Sequence, residues 1–178
     1  PAYFYDYPFA DNYDYNYQYD GGAYTGITVT SSYYANRYTA KQAEYLKAVG
    51  FYTRNSDYDC KVAIYLDSSV DDPTNGTLVA EQKCPQTYAG FHTVELESPV
   101  ELKKGETFSV VVYQTDQEGN EVPVILDAKY LDAQYSNTSV ACSGQSYVCH
   151  DGVVIDVGEE EQANCRIKAY TDKKIFVP

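Results

Sequence analysis

Apolar and polar residues alternate with a period of two along most of this chain, the spacing that puts successive side chains on opposite faces of a β-strand. Ile27–Thr30 reads as a strand, and over Tyr58–Leu66 the residues Cys60, Val62, Ile64 and Leu66 share one face. Gly76–Ala80, Phe91–Leu96 and Thr107–Tyr113 continue the series, the last with Phe108, Val110 and Val112 on one side; Gly152–Val157 and Cys165–Tyr170 close it. Turn chemistry separates these runs at Asp71–Gly76, Lys103–Gly105, Asp116–Asn120 and Gly158 with its three following glutamates. Many short strands with turns between them predict an all-β fold, an antiparallel β-sandwich of jelly-roll type. Only Thr39–Leu46 is rich in helix formers; it predicts a turn of helix at Ala40–Ala43 and strand from Leu46 onward.

Length then limits the architecture: 178 residues fit a single domain spanning 1–178. The chain opens on Pro1 and has no Met, so it reads as an excised or processed piece of something longer. Residues 1–20 hold Tyr at 3, 5, 7, 13, 15, 17 and 19 with little aliphatic content. This leader is expected to join the domain to a preceding one, with Tyr3, Tyr5, Tyr7, Tyr17 and Tyr19 as packing candidates at that junction. It can also lie as an edge strand on its own domain.

Charge excludes more than it identifies. Thirteen basic residues against 26 acidic ones give a net charge of −13, which repels nucleic-acid phosphates and anionic lipid, so neither nucleic acid nor membrane insertion is expected. The 21 tyrosines, against 6 phenylalanines and no Trp, suit half-wet surfaces and interfaces. A cleft lined by Tyr130, Tyr135 and Tyr147 is the candidate ligand site, for a glycan or another surface ligand.

The inventory for catalysis is thin, and no catalytic residue is assigned. His92 shares a face with Val94 and Leu96 and reads as a structural imidazole. His150 follows Cys149 directly, so the two point to opposite faces and form no dyad. No nucleophile elbow, H-E-x-x-H or phosphate loop occurs. The five cysteines lack the spacing of a zinc site; Cys60 with Cys84, and Cys142 with Cys149, are the expected disulfides of an exported protein. Cys165, in phase with Ile167 and Ala169, reads as a small buried hydrophobe. No cofactor is required, although the oxygen-rich loop Asp67–Asn75 makes Asp67, Asp71 and Asp72 candidate calcium ligands. Acidic loops also commonly face solvent without any ion.

The segments Ala35–Lys41 and Leu46–Thr53 resemble the lectin-like domain that stands beside papain-type cysteine peptidases in secreted bacterial and archaeal proteins. So do Gly76–Ala80, Tyr88–Leu96, Ser98–Val100, Leu102–Val112, Gly144–Tyr147 and Arg166–Thr171. The likeness runs from Asn16 to Thr171. It implies a β-sandwich without catalytic residues, an attached peptidase domain as partner, an extracellular or cell-surface location, and a role in glycan or surface-ligand binding. Its alternative is a structural module that packs on the peptidase and stabilises it. The aromatic expected soon after an Asp-Gly near the end is replaced here by Asp151-Gly152-Val153-Val154, which weakens sugar stacking.

Overall fold

A computed structural model describes residues 13–21, 27–128 and 140–174 in full, with the backbone of 130–131 and 136–137. Two antiparallel sheets face one another. The smaller runs β1 (Tyr15–Tyr17), β15 (Ile167–Lys173), β4 (Glu44–Thr53), β7 (Gly90–Leu102). The larger runs β13 (Val153–Asp156), β12 (Ser146–His150), β3 (Tyr33–Thr39), β8 (Thr107–Thr115), β5 (Asp59–Leu66), β6 (Thr77–Lys83). A third sheet of β14 (Ala163–Cys165), β9 (Val122–Ala128) and β2 (Thr28–Ser31) lies across one end, and β10 (Tyr130–Leu131) pairs with β11 (Ser136–Asn137). The fold is the expected β-sandwich.

Alternation builds its core. Cys60, Val62 and Ile64 of β5 and Phe108, Val110 and Val112 of β8 meet Leu46, Val49 and Phe51 of β4 and Ile167 and Ala169 of β15, all buried. Each large aliphatic or aromatic side chain so buried contributes about 1.5–3 kcal/mol. A polar network runs through the interior at Asn36. Asn36 donates to the Tyr38 hydroxyl at 2.9 Å and to the Cys165 carbonyl at 3.1 Å, while Ser146 donates to its Oδ1 at 2.6 Å. His92 faces inward at the sandwich end, with Nε2 2.8 Å from the Thr53 hydroxyl.

Three expectations need correction. No helix forms at Ala40–Ala43: the Ala40 N–H donates to Glu106 O and the Lys41 N–H to the Tyr17 hydroxyl, so the chain bends there and β4 begins at Glu44. The one helix among the described residues, α1 (Val157–Glu160), sits instead where a turn was expected, capped by the Asp156 carboxylate. The leader is partly domain, since β1 pairs with β15 and Tyr17 is buried in the core. There the Tyr17 hydroxyl donates to Glu44, which also accepts from Thr171 at 2.5 Å, and Tyr19 stacks on Tyr38 at 4.9 Å between ring centroids. These two side chains are thus spent inside the domain, while Tyr3, Tyr5 and Tyr7 lie outside the described residues. Of the cysteines expected to pair, Cys60, Cys84 and Cys149 are buried and Cys142 is exposed. The hairpin turn falls at Asp151-Gly152, so Ser146–His150 straightens into β12, roughly 16 Å of extended chain, with Cys142 before it and Cys149 near its far end.

Candidate functional site

The residues that alternate away from the core make the outer face of the six-stranded sheet. Pairing places Tyr147, Ala35, Val111, Ala63 and Glu81 in one row across five strands. The next row holds Cys149, Tyr33, Tyr113 and Lys61. Small residues in the first row thus form a trough, with tyrosines along its sides. Tyr33, Ala35, Ala63, Val111, Tyr147 and Cys149 pack into a second apolar cluster, with Tyr65, Tyr113 and Val154 half-buried against it.

A loop, Asp67–Gly76, folds back over this trough from the end of β5. The Arg37 Nε donates to Ser68 O at 3.1 Å, the Ser68 and Ser109 hydroxyls meet at 2.5 Å, and the Tyr147 hydroxyl donates to Val70 O at 2.7 Å. Within the loop Pro73 is buried. Inside the loop Asn75 Oδ1 accepts from the Ser69 N–H at 2.8 Å, and Asp72 Oδ1 accepts from both N–H and hydroxyl of Thr74 at 2.7 Å. Gly76 closes it, for a Cβ there would meet Leu66 O at 2.2 Å. Burial pushes the Tyr147 hydroxyl up to about 12, with Asp156 adding to the shift and Arg37 opposing it.

The same outer face carries a tyrosine strip on β5 and β8. Tyr65 and Tyr113 are half-buried on either side of the Ala63–Val111 row, the Lys61 Nζ lies 4.2 Å from the centroid of the Tyr113 ring, and it pairs with Glu81 at 2.5 Å. An aromatic face flanked by a cation, a carboxylate and phenol hydroxyls can stack an apolar ring face and bond its polar rim.

The four-stranded sheet presents a different outer face. Gly50 of β4 lies beneath two rings: a Cβ there would stand 2.6 Å from Phe91 Cζ and 3.1 Å from Tyr170 Cε2. Tyr13 stacks on Tyr170 with 5.1 Å between centroids and 24° between planes, and the Lys168 Nζ sits 5.9 Å from the Phe91 centroid. Burial pushes the Tyr170 hydroxyl up to about 12. Gly50 carries no side chain, and the Phe91 and Tyr170 rings close over it.

Of the expected ligand residues, Tyr147 lies in the floor of the capped trough, nearly inaccessible at 1% exposure. The Tyr130 side chain and all of Tyr135 lie outside the described residues. Asp67, Asp71 and Asp72 share the cap, but their carboxylates do not converge; Asp72 bonds Thr74 instead. Among the described residues the trio close enough to share an ion is Glu121, His150 and Asp151, on the surface. There His150 Nδ1 stands 2.9 Å from Glu121 and its Nε2 3.6 Å from Asp151. Tyr33, Tyr65, Tyr113, Phe91 and Tyr170 were not singled out from the sequence. The signal was present in the polar phase of each strand, where a tyrosine falls opposite the Val or Ile that marks the core.

Comparison with known proteins fits this geometry. The family model described as "Lectin like domain" matches residues 16–171. The chain belongs to that family. Two solved structures share this lectin-like fold. One is a variant of the clostridial cysteine protease Cwp84 after propeptide cleavage, with a TM-score of 0.70 and 21% identity over 90% of this chain and 40% of that one. The other comprises the cysteine protease and lectin-like domains of Cwp84, a surface layer associated protein of Clostridium difficile, with a TM-score of 0.68 and 23% identity over 90% and 36%. This lectin-like chain therefore spans less than half of either relative, and in the second the protease is a domain distinct from the lectin-like one. No curated protein matches it. Among the described residues no helix is long and apolar enough to cross a membrane.

Proposed function

We propose that this lectin-like domain is a non-catalytic accessory module of a secreted or cell-surface protein, packed against an adjoining papain-type cysteine peptidase domain. The observation that carries this reading is the half-buried aromatic patch of Phe91, Tyr170 and Tyr13 over Gly50. A half-buried apolar aromatic surface on a sheet face suits packing against a second protein surface. That Cwp84 carries a cysteine protease and a lectin-like domain in one protein supports the choice of partner.

The test is calorimetry and hydrogen exchange on the parent protein carrying both domains. Docking predicts one cooperative transition in the wild type that splits into two in Phe91→Ala/Tyr170→Ala, with protection at β4 and β15 lost on removing the peptidase domain. Independent melting of the domains in the wild type, with exchange at this face the same with and without the peptidase, would refute it.

One observation favours a second role on the opposite side. The Tyr65–Tyr113 strip with Lys61 and Glu81 offers the stacking face and polar rim that a sugar ring takes. A glycan array with wild type and Tyr113→Ala, run with calcium and with chelator, tests it. Binding that Tyr113→Ala abolishes supports a glycan site, and loss with chelator makes it calcium-dependent; silence from folded wild type removes the glycan reading.

A further inference from the structure

The β5–β6 hairpin carries the cap at its closed end and two cysteines at its open end. Pairing runs through Lys61↔Lys83 on one side and Tyr58↔Gln86 on the other, so Cys60 and Cys84 stand directly opposite each other. The Cys84 N–H donates to Cys60 O at 2.8 Å. Both side chains turn into the same apolar cluster, at 4% and 9% exposure. Residues directly opposed on antiparallel strands have Cα atoms about 4.5–5.5 Å apart, within the roughly 4.4–6.8 Å that a disulfide requires.

The other cysteines are placed differently. Cys165 gives its thiol to Tyr147 O at 3.2 Å within the Asn36 network, Cys149 lies on the outer face beside Tyr33, and Cys142 is exposed. We propose that Cys60 and Cys84 are a redox pair that closes to a cross-strand disulfide, fastening edge strand β6 and the base of the capping hairpin.

The oxidant is a low-molecular-weight disulfide. One protein thiolate attacks it and expels the first small thiolate, leaving a mixed disulfide. The second protein thiolate then attacks the protein sulfur of that bond and expels the other small thiolate. Two electrons pass from the cysteine pair to the small disulfide, and the two protein protons end on the two released thiols. Burial pushes the Cys60 thiol up to about 12 and the Cys84 thiol up to about 11. Since the thiolate is the nucleophile, closure in the folded dithiol is slow and belongs to the folding chain, before both sulfurs are covered.

The experiment refolds the whole chain in a buffer of small thiol and its disulfide, alkylates free thiols, and maps the peptides by mass. The expected product has three alkylated cysteines and a Cys60–Cys84 link. The already folded dithiol protein in the same buffer should close at least about tenfold more slowly, because so little thiolate is present. The linked protein should melt roughly 5–10 °C higher than its reduced form, a shift absent from Cys60→Ser and Cys84→Ser. Should either serine variant fail to fold, Cys84→Ala, with a small apolar replacement, gives the same readout. Five alkylated cysteines after refolding across the whole redox range, or a link through any other pair, overturns the proposal.

Discussion

The outer faces of the two sheets start from the same material, tyrosines over small residues, and end differently. On the six-stranded sheet Ala35, Ala63 and Val111 leave a trough, and the chain fills it with its own loop, bonded through Arg37, Tyr147 and Ser109. On the four-stranded sheet the small residue is Gly50, and Phe91 and Tyr170 lie across it and cover it. The first face has met its polar needs internally; the second presents half-buried rings outward. Residue size decided this. A row of small side chains makes a channel that a loop can occupy, whereas a single glycine between large rings is covered by them.

That comparison breaks most readily at Gly76. A Cβ there collides with Leu66 O and Ser68 N, backbone atoms that cannot swing aside, so Gly76→Ala should cost about 3 kcal/mol in urea unfolding and deprotect amides of residues 67–76. A loss under about 1 kcal/mol would mean that the cap is not integral to its sheet. On the other face Phe91→Ala should cost about 2 kcal/mol, less than a fully buried ring, and leave protection of the cap unchanged. A rise in cap exchange would show that the two faces are coupled through the core.

Tyr147→Phe removes only the hydroxyl bond to Val70 O. It should cost about 1 kcal/mol and speed proteolysis within the cap, and unchanged cleavage would leave the fastening to Arg37 and Ser109.

The smallest effect concerns Asp20, beside Lys168 at the margin of the aromatic face. Burial holds the Asp20 carboxyl above its ordinary range, with Lys168 partly offsetting it. A folded value above the unfolded one favours the neutral acid. That stabilisation is complete below the unfolded value of about 3.9 and is lost as pH rises through the folded one. Asp20→Asn should therefore match the wild type at about pH 3.5 and have the higher denaturant midpoint at about pH 7. Equal midpoints at both would show that the Lys168 attraction balances the burial.

The sequence made the core strands readable because β5 and β8 alternate cleanly, with Cys60, Val62, Ile64 and Phe108, Val110, Val112 facing in. Strand β3 was recognised through a family likeness rather than as a strand, since Tyr-Tyr-Ala-Asn-Arg-Tyr-Thr buries residues on both faces and loses its alternation. Local propensity misled at Ala40–Ala43, where partners distant in sequence, Glu106 and Tyr17, take the backbone groups that a helix would use. The acidic loop was legible as a loop but not as a lid. Nothing near Asp67–Asn75 in sequence reveals that Tyr147 and Arg37 lie under it. Tyr17 was misassigned outward because a tyrosine hydroxyl looks like a surface group until Glu44, 27 residues away, accepts from it.

Strand β1 runs antiparallel to β15, and beyond it Asp14 accepts from the Lys173 N–H at 2.8 Å, so the chain enters and leaves this pair at the same place. Tension applied across residues 14 and 173 would load that two-strand seam like a zipper, one rung after another, instead of shearing all rungs together. The first stretch to peel away would draw the Tyr17 ring from the core and strand the Glu44 carboxylate without its phenol. On an anchored, mechanically loaded protein this seam would be the fuse, yielding at low force while the rest of the sandwich stays whole.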